Sequence, residues 1–324
     1  MIFDDVAVLQ AALDFKRRNA AIALITLIRR DGSAPRPLGS QMVVTGEGEC
    51  AGSLTGTGCA DSLIVHEACA AIKEGIPRTL RLGAGSPYLD IRLPCGSGIE
   101  LYIDPLLDIC TLEFLLSEYR ARRPVALETN SETHSHRCFL GQPVSPLPPD
   151  VLRRWIYPRQ RLIVIGQGLN AVALSQVAVV SGYDVSVFSP DEATLTAGRQ
   201  SGADAIRLTS AKTFPPPPLD AWTAAVTMFH DHDREIPVLQ KLLESRCFYL
   251  GALGSRRTHS LRLATLKDLG LTDSTRRLHG PVGLDIGAQS PAEIALSILA
   301  EITHVYRTVE RPLLEVGVIT TQAR

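Results

Sequence analysis

Apolar residues in the first half of the chain repeat with the spacing of both helices and strands. The segments Val6–Arg18 and Ala60–Lys73 have apolar positions at helical spacing, so both are predicted to be helices. Ala21–Ile28 is rich in aliphatic and β-branched residues and predicts a buried strand. Gln41–Thr45 and Ile99–Ile103 are further short strands bounded by glycines. These elements predict a small α/β unit with glycine-rich loops.

Strands and helices alternate more regularly in the second half. The predicted strands are Arg161–Ile165, Asp184–Phe188, Ala224–Met228 and Cys247–Leu250. Helical spacing follows the first of them up to Ser181 and returns over Thr258–Leu269. Near the end, Ser290, Pro291 and Glu293 have the spacing of a capping box that opens a last helix. This alternation predicts a Rossmann-like, doubly wound parallel sheet.

The chain is long enough for two domains, and its composition changes near the middle. At 324 residues it exceeds the usual size of a single domain. Residues 142–158 hold five prolines and show no sustained helical or strand period, which is typical of an extended linker. We therefore predict an amino-terminal α/β domain over 1–141, a linker over 142–158 and the Rossmann-like domain over 159–324.

Composition and charge exclude several classes of protein. Hydrophobic residues make up 45% and charged residues 21%, as in soluble globular proteins, and the net charge of −1 gives no general field for nucleic acid. The first ten residues are acidic rather than basic, and the longest apolar run, Ala20–Ile28, is about half of a membrane span. Seven cysteines without a CxxC pair argue against disulfides and structural zinc. We expect a cytoplasmic protein that binds neither membranes nor nucleic acid.

A glycine turn follows the first strand of the second domain. Gly166, Gly168 and Ala171 form G-x-G-x-x-A between a strand and a helix, the arrangement that brings a phosphate to a helix amino terminus. A dinucleotide site usually has an acid at the end of the next strand, but Ser189 stands there and Asp191 comes two residues later. NAD(P) or another nucleotide at this turn, and a Rossmann-type domain without tight dinucleotide binding, both explain these residues.

A cysteine lies at the end of a glycine-rich loop in the first domain. In Gly52–Cys59, Gly56 and Gly58 let the backbone approach a bulky ligand, and Cys59 falls in the first turn of the following helix. The helix dipole favours a thiolate there, and a thiolate suits a soft metal such as molybdenum. Cys95 lies in a similar glycine turn. The alternative for both is a small residue packed in a tight turn, as we expect for Cys50, Cys69, Cys110, Cys138 and Cys247.

Two further segments carry candidate chemistry. Ser255, Arg256 and Arg257 follow a strand and open a helix, which makes an anion cradle, although a turn with two solvated arginines explains them too. His230–Asp233 follows another strand, but alternate residues on one loop supply too few ligands for a metal site. The chain contains neither a G-x-S-x-G elbow nor a P-loop.

Both halves of the chain contain ordered motifs. They are GSAPRPLGSQM (Gly32–Met42), GSLTGTGCAD (Gly52–Asp61), CGSG (Cys95–Gly98), VIGQG (Val164–Gly168), FHDHD (Phe229–Asp233), YLGALGSRR (Tyr249–Arg257) and PVGLDIGAQSPAEIALSILAEI (Pro281–Ile302). Taken together, these motifs resemble the XdhC/CoxI family of xanthine dehydrogenase accessory factors. The resemblance implies an amino-terminal XdhC-type domain joined to a Rossmann domain.

This resemblance also implies a function. It implies that the chain binds molybdenum cofactor (molybdopterin), protects it during sulfuration and delivers it to an apo molybdenum hydroxylase. Cys59 matches the family's cofactor-associated cysteine and is the expected molybdenum ligand, with Gly56, Thr57, Gly58 and Cys95 around the cofactor. The cofactor's phosphate is expected on Ser255–Arg257 or on the Gly166–Gly168 turn. A cysteine desulfurase and a second copy of the chain are the other expected partners.

The chain departs from the family pattern at several positions. Thr57 replaces the middle of three glycines, Asp61 stands where Glu is typical, and Gln167 and Leu169 alter the Rossmann turn. Two other functions therefore stay open. An NAD(P)-dependent oxidoreductase would use the Rossmann domain with Cys59 in its substrate pocket, whereas a protein–protein adaptor would bind no small molecule.

Overall fold

The computed structural model divides the chain into two units. It describes residues 5–32, 34, 36–56, 58–88, 97–141, 147–212, 214–229, 231–309, 311 and 314–316, without the side chains of 5, 58, 59, 232, 233 and 314. The first unit comprises Met1–Pro158 and Pro312–Arg324, and the second comprises Arg159–Arg311. Within the described ranges, no helix is both long enough and apolar enough to cross a membrane.

Helices and strands follow one another along both units. Up to residue 158 they are α1 (Asp5–Arg17), β1 (Ile22–Asp31), β2 (Gln41–Thr45), β3 (Cys50–Ala51), α2 (Gly58–Glu74), β4 (Arg78–Gly83), β5 (Gly98–Asp104), α3 (Ile109–Arg120), β6 (Val125–Asn130), β7 (His136–Leu140) and β8 (Val151–Ile156). They continue with β9 (Arg161–Gly166), α4 (Leu169–Val180), β10 (Asp184–Ser189), α5 (Glu192–Ser201), β11 (Asp204–Arg207), β12 (Thr223–Met228), α6 (His232–Leu243), β13 (Tyr249–Ala252), α7 (Arg256–Asp268), a 3₁₀ turn (Ser274–Arg277), β14 (Leu278–His279), α8 (Pro291–Thr308) and β15 (Leu314–Val316).

Two antiparallel sheets form the first unit. The larger has the strand order β3-β2-β1-β5-β4 and the smaller the order β15-β8-β6-β7. β1 is buried on both faces because successive side chains of a strand point to opposite sides. Ala23, Ile25 and Leu27 pack with α2, whereas Ile22 and Leu24 pack with α1 and α3. The helix α2 therefore lies on one face of the larger sheet.

The predicted linker differs from the observed structure in its second half. Val151–Ile156 is β8, a buried strand that pairs with β6 and with β15. It shows no alternation because Arg153 and Arg154 are buried as well. Arg153 forms ion pairs with Glu128 and Glu315, and Arg154 donates to the Gly39 carbonyl oxygen. These partners replace the water that the two guanidinium groups lose.

A six-stranded parallel sheet forms the second unit, as the alternation of strands and helices predicted. Its order is β11-β10-β9-β12-β13-β14, and all of its pairs are parallel. Leu162 and Val164 of β9 pack against α4 and α8, while Ile163 and Ile165 pack against α6 and α7. This is the doubly wound Rossmann order, in which ligands bind beyond the carboxyl ends of the strands where the order reverses. Here the reversal lies between β9 and β12.

The predicted capping box of the last helix is confirmed. Ser290 is the N-cap of α8 and accepts a hydrogen bond from the Glu293 amide, while the Glu293 carboxylate accepts from the Ser290 amide at 2.8 Å. These backbone hydrogen bonds hold the pKa of Glu293 below its usual range. The box fixes where α8 begins.

A buried ion pair lies beneath the carboxyl edge of the second unit. The Arg262 Nε of α7 donates to the Glu235 carboxylate of α6 at 2.8 Å, and both side chains are shielded from water. Glu235 also accepts from the Thr227 hydroxyl at 2.7 Å, and Arg262 donates to the Leu253 carbonyl oxygen at 2.8 Å. The pair therefore joins two helices to the ends of β12 and β13.

Breaking this pair from one side should destabilise the second unit strongly. Arg262→Met leaves a buried carboxylate without its cation, which costs about 3–5 kcal/mol in comparable sites. Replacing both members, as Glu235→Leu with Arg262→Met, should cost less because no charge stays buried. Calorimetric unfolding of the full chain measures both effects.

Arg276→Met is the matched control, since its pair with Asp273 spans 3.9 Å between exposed side chains. It should change the free energy of unfolding by less than about 0.5 kcal/mol. Equal stability of Arg262→Met and Arg276→Met would contradict the role assigned to the pair.

Candidate functional site

A hydrogen-bonded carboxylate fixes the shape of the glycine-rich loop in the first unit. Asp61, in the first turn of α2, accepts from the Ser53 hydroxyl at 2.6 Å and from the Thr55 hydroxyl at 2.7 Å. It also accepts from the Thr55 amide at 3.2 Å, and the Gly56 amide donates to Ser53 Oγ at 3.1 Å. Three hydrogen bonds to one carboxylate tie the loop to the start of the helix.

The glycines of this loop serve different purposes. Gly52 has φ +91°, and a Cβ there would lie 2.9 Å from the Gln41 carbonyl oxygen, so only glycine fits against β2. Gly56 has φ +68°, but no atom of the described structure lies within 4 Å of the position that its Cβ would take. Gly52 thus allows the chain to turn away from the sheet, whereas the backbone at Gly56 is accessible to a ligand.

α2 begins at Gly58, two residues before the predicted start, and Cys59 is its second residue, within the first turn where the sequence predicted it. The N–H groups of a first helical turn lack intrahelical partners, so its backbone position is the positive end of the helix dipole. The Cys59 side chain and all of Thr57 and Cys95 lie outside the described residues, and Gly58 is described only by its helical backbone. Their roles as cofactor-binding residues stay predictions.

A cavity of about 340 Å³ adjoins this loop. Its lining includes Gly48, Cys50, Gly52, Asp61 and Val65. The sequence led us to expect Cys50 to be a packed apolar residue, but its thiol is exposed. β3 is a two-residue edge strand, so it leaves this side chain uncovered.

The Cys50 thiol is held in its protonated form. Partial burial raises its pKa, and the Asp61 and Glu49 carboxylates raise it further by charge repulsion.

The other cysteines differ in their exposure. Cys110 is exposed, contrary to expectation, because it lies on the solvent side of α3, whereas Cys247 is buried as expected. Burial likewise raises the pKa of Cys138 to about 11.

The glycine turn of the second unit follows β9 at the reversal of strand order. Gly166 has φ +149°, and a Cβ there would lie 2.3 Å from the Met228 carbonyl oxygen, so the turn presses against β12. Gly168 has φ +88° and precedes α4, with no described atom within 4 Å of its Cβ position. Its amide donates to Thr194 Oγ1 at 3.0 Å, so this N–H is already engaged.

The residues after β10 are occupied in capping the next helix. Ser189 is fully buried, and its hydroxyl accepts from the Asp191 amide at 3.1 Å. Asp191 is the N-cap of α5 and accepts from the Thr194 hydroxyl and amide, which hold the pKa of Asp191 below its usual range. The carboxylate nearest to a ribose position is therefore engaged in holding its own helix.

The loop after β13 carries the two predicted arginines. Ser255 is the N-cap of α7 and accepts from the Thr258 amide at 3.1 Å, a role that the sequence did not assign to it. Arg256 and Arg257 are exposed, and Arg256 lies 3.7 Å from the Asp285 carboxylate. Only β12 separates β9 from β13, so this loop and the Gly166–Gly168 turn share an edge and start roughly 10 Å apart.

The His230–Asp233 segment shows no metal site within the described part of the chain. A search of those residues finds no group of three or more His, Cys, Asp or Glu able to hold a metal ion. His230 and the side chains of His232 and Asp233 fall outside the description, and Asp231 lies 3.5 Å from Arg234.

Asp61 is the site residue to which sequence reasoning gave no role. One feature of the sequence could have indicated its role. Asp61 is an acid in the first turn of a predicted helix, and the hydroxyl residues Ser53 and Thr55 precede it by eight and six residues. A carboxylate at that position accepts bonds from a preceding loop as readily as from helix amides. The sequence alone does not distinguish these two arrangements.

Comparison with known proteins gives consistent matches across the chain. The XdhC Rossmann domain matches residues 162–302, and the XdhC and CoxI family matches residues 15–83. The molybdenum cofactor insertion chaperone PaoD of Escherichia coli K12 is 34% identical over 93% of this chain and 89% of its own length. A protein of Bacillus subtilis 168 named as a probable subunit of xanthine dehydrogenase is 27% identical over 88% of this chain and 93% of its own.

A solved structure shares the fold. The crystal structure of a xanthine dehydrogenase from Bacillus halodurans superposes with a TM-score of 0.73 at 22% identity, covering 95% of this chain and 97% of that one. The likeness therefore extends over both units. On the two family matches and the identity to the Escherichia coli chaperone, the chain belongs to the XdhC and CoxI family.

Proposed function

We propose that this chain is a cytoplasmic chaperone that binds molybdenum cofactor, protects it during sulfuration and delivers it to a xanthine dehydrogenase-type hydroxylase. The observation that carries the proposal is the 34% identity, over 93% of the chain, to a molybdenum cofactor insertion chaperone. The cofactor is cargo here, so the chain needs a site that binds and releases it rather than one that turns it over.

Cys59 is the proposed ligand of the molybdenum or of its sulfur. Its backbone lies in the first turn of α2, where the helix dipole favours the thiolate that a soft metal prefers. Gly56, Thr57 and Gly58 precede it, and the open backbone at Gly56 admits a bulky ring. Cys95 is proposed as a further contact.

The cavity beside the loop suits the pterin part of the cofactor. Its volume of about 340 Å³ lies within the range of small-molecule sites. Asp61 is the carboxylate among its described lining residues, and three of its roughly four acceptor positions are filled by Ser53 and Thr55. The remaining position suits one N–H donor, of the kind that the amino group or the ring of a pterin carries.

Of the two segments predicted for the cofactor's phosphate, Ser255–Arg257 suits an anion better than the Gly166–Gly168 turn does. The Gly168 amide is taken by Thr194, which weakens the turn as an anion site. Arg256 and Arg257 instead offer two exposed guanidinium groups at the start of a helix. An NAD(P) molecule at the turn has less support, since Ser189 is buried and Asp191 caps α5.

The proposed partners follow from this role. A cysteine desulfurase supplies the terminal sulfur, the apo hydroxylase receives the sulfurated cofactor, and a homodimer is the working form. The Bacillus subtilis relative named for xanthine dehydrogenase supports this class of client.

Removing the Cys59 thiol should abolish cofactor retention. We expect the purified chain to retain molybdenum cofactor stoichiometrically under anaerobic conditions and Cys59→Ala to bind it about tenfold more weakly or worse, because a metal ligand is lost. Metal analysis after gel filtration measures retention, and activation of an apo hydroxylase measures delivery.

Cys110→Ala is the matched control, as it removes an exposed thiol elsewhere in the same unit. It should retain the cofactor fully. If Cys59→Ala retains and delivers the cofactor as well as Cys110→Ala does, Cys59 is not the ligand.

Removing the Asp61 carboxylate should loosen the loop and weaken binding. Asp61→Ala deletes the acceptor of three hydrogen bonds, so amide hydrogen exchange at Thr55 should quicken by about tenfold or more. Asp61→Asn keeps an acceptor oxygen for Thr55 and should have an intermediate effect. Cofactor retention should fall in the same order.

Glu74→Ala serves as the control, because it removes a carboxylate from the opposite end of α2. It should leave exchange at Thr55 unchanged. Unaltered exchange in Asp61→Ala would mean that the loop holds its shape without this carboxylate.

A further inference from the structure

A second cavity of about 340 Å³ opens at the carboxyl edge of the second unit. It is lined by Pro190 after β10, residues 208–212 after β11, Phe229 after β12, and Arg234 and Pro237 of α6. It therefore lies beside the reversal of strand order, where α/β sheets bind ligands. The glycine turn and the Ser255–Arg257 loop do not line it.

The floor of this cavity is apolar and rigid. Phe229 and Leu208 line the cavity, but both are buried and belong to the core that α6 covers, so only a small part of each is exposed. Pro190 and Pro237 stand at its sides, and proline rings have little conformational freedom to lose. Such a surface favours a flat ring that packs without rearranging the protein.

The rim of the cavity is cationic. Among the described lining residues two are cations, Lys212 and Arg234, and none is a carboxylate. Arg234 approaches the Asp231 carboxylate at 3.5 Å, and both side chains are more than half exposed, so this pair is weak. The exposed Thr209 supplies a hydroxyl beside them. Ammonium and guanidinium groups both bind phosphate through charge-assisted hydrogen bonds.

The position of α6 adds to this preference. α6 spans His232–Leu243 and follows β12, so its first turn starts at the same edge as the cavity. The amide groups of that turn lack intrahelical partners and favour an anion. Arg234 lies within the turn, which places its charge and the helix dipole on one side of the cavity.

We propose that this cavity binds a free nucleoside monophosphate. The base packs over Phe229 and Leu208, and the phosphate lies between Lys212 and Arg234. Recognition through the phosphate does not require the ribose-binding acid that Ser189 replaces and that Asp191 does not supply. The site goes beyond the proposed chaperone function, because it is separate from the cysteine loop and holds a different ligand.

Calorimetric titration of the full chain with AMP, CMP, GMP and UMP tests the ligand class. We expect at least one of them to bind stoichiometrically, with the matching nucleoside and inorganic phosphate each at least about tenfold weaker. If none of the four binds, or if phosphate alone binds as tightly as the nucleotide, the proposal is overturned.

Substitutions at the rim test the location. Lys212→Met and Arg234→Met should each weaken nucleotide binding about tenfold, the effect of one lost charge-assisted hydrogen bond. Lys267→Met and Arg276→Met remove the same charges elsewhere in the second unit and should have no effect. Both rim side chains are exposed, so the variants should unfold at the wild-type temperature. Binding that falls in Gly168→Ala but not in Lys212→Met would place the ligand on the glycine turn and overturn the proposal.

Cys59→Ala separates this inference from the chaperone function. We expect it to bind the nucleotide like the wild type while losing molybdenum. Loss of nucleotide binding in Cys59→Ala would contradict a separate site. Failure of the wild type to retain molybdenum would sink the chaperone proposal alone.

Discussion

Both units depend on a glycine whose backbone touches the neighbouring strand. A Cβ on Gly52 would lie 2.9 Å from the Gln41 carbonyl oxygen, and one on Gly166 would lie 2.3 Å from that of Met228. Each glycine has a positive φ and stands where the chain leaves its sheet toward the start of a helix. The helix α4 starts three residues after Gly166, and α2 starts six residues after Gly52. A side chain at either glycine would move the loop and the helix together.

The sequence predicted the elements whose pattern is strictly local. β9, β10 and β12 are short apolar runs with helices between them, and the capping box at Ser290 depends on residues three apart. β8 escaped prediction because its stability comes from distant partners. Two of its six side chains are buried arginines, which no apolar pattern reveals, and their partners Glu128 and Glu315 lie far away along the chain. The prolines around it masked the strand further.

The candidate sites show the same limit. The spacing of glycine and cysteine residues predicted a candidate ligand-binding loop in the first unit. This was possible because the backbone conformation of glycine and the position of a helix start both follow from the local sequence. The sequence left open whether a polar residue near a helix start binds a ligand or caps the helix, and the hydrogen bonds of the structure distinguish the two roles. The Asp191 carboxylate caps α5 and the Ser255 hydroxyl caps α7, so at the start of α7 the arginine side chains, rather than the Ser255 hydroxyl, remain to meet an anion. A polar side chain beside a helix start serves either purpose, and only its partners distinguish them.

Cys50 and Cys59, the two cysteines that flank the loop of the first unit, lie in different electrostatic surroundings. Partial burial raises the pKa of Cys50, and the charges of the Asp61 and Glu49 carboxylates raise it further, so the neutral thiol is favoured. The backbone of Cys59 is instead at the amino end of a 17-residue helix, where the dipole stabilises an anion. One carboxylate, Asp61, thus orders the loop before Cys59 and also disfavours the competing thiolate at Cys50. The local charges therefore disfavour a thiolate at Cys50, although Cys50 is exposed in the adjoining cavity.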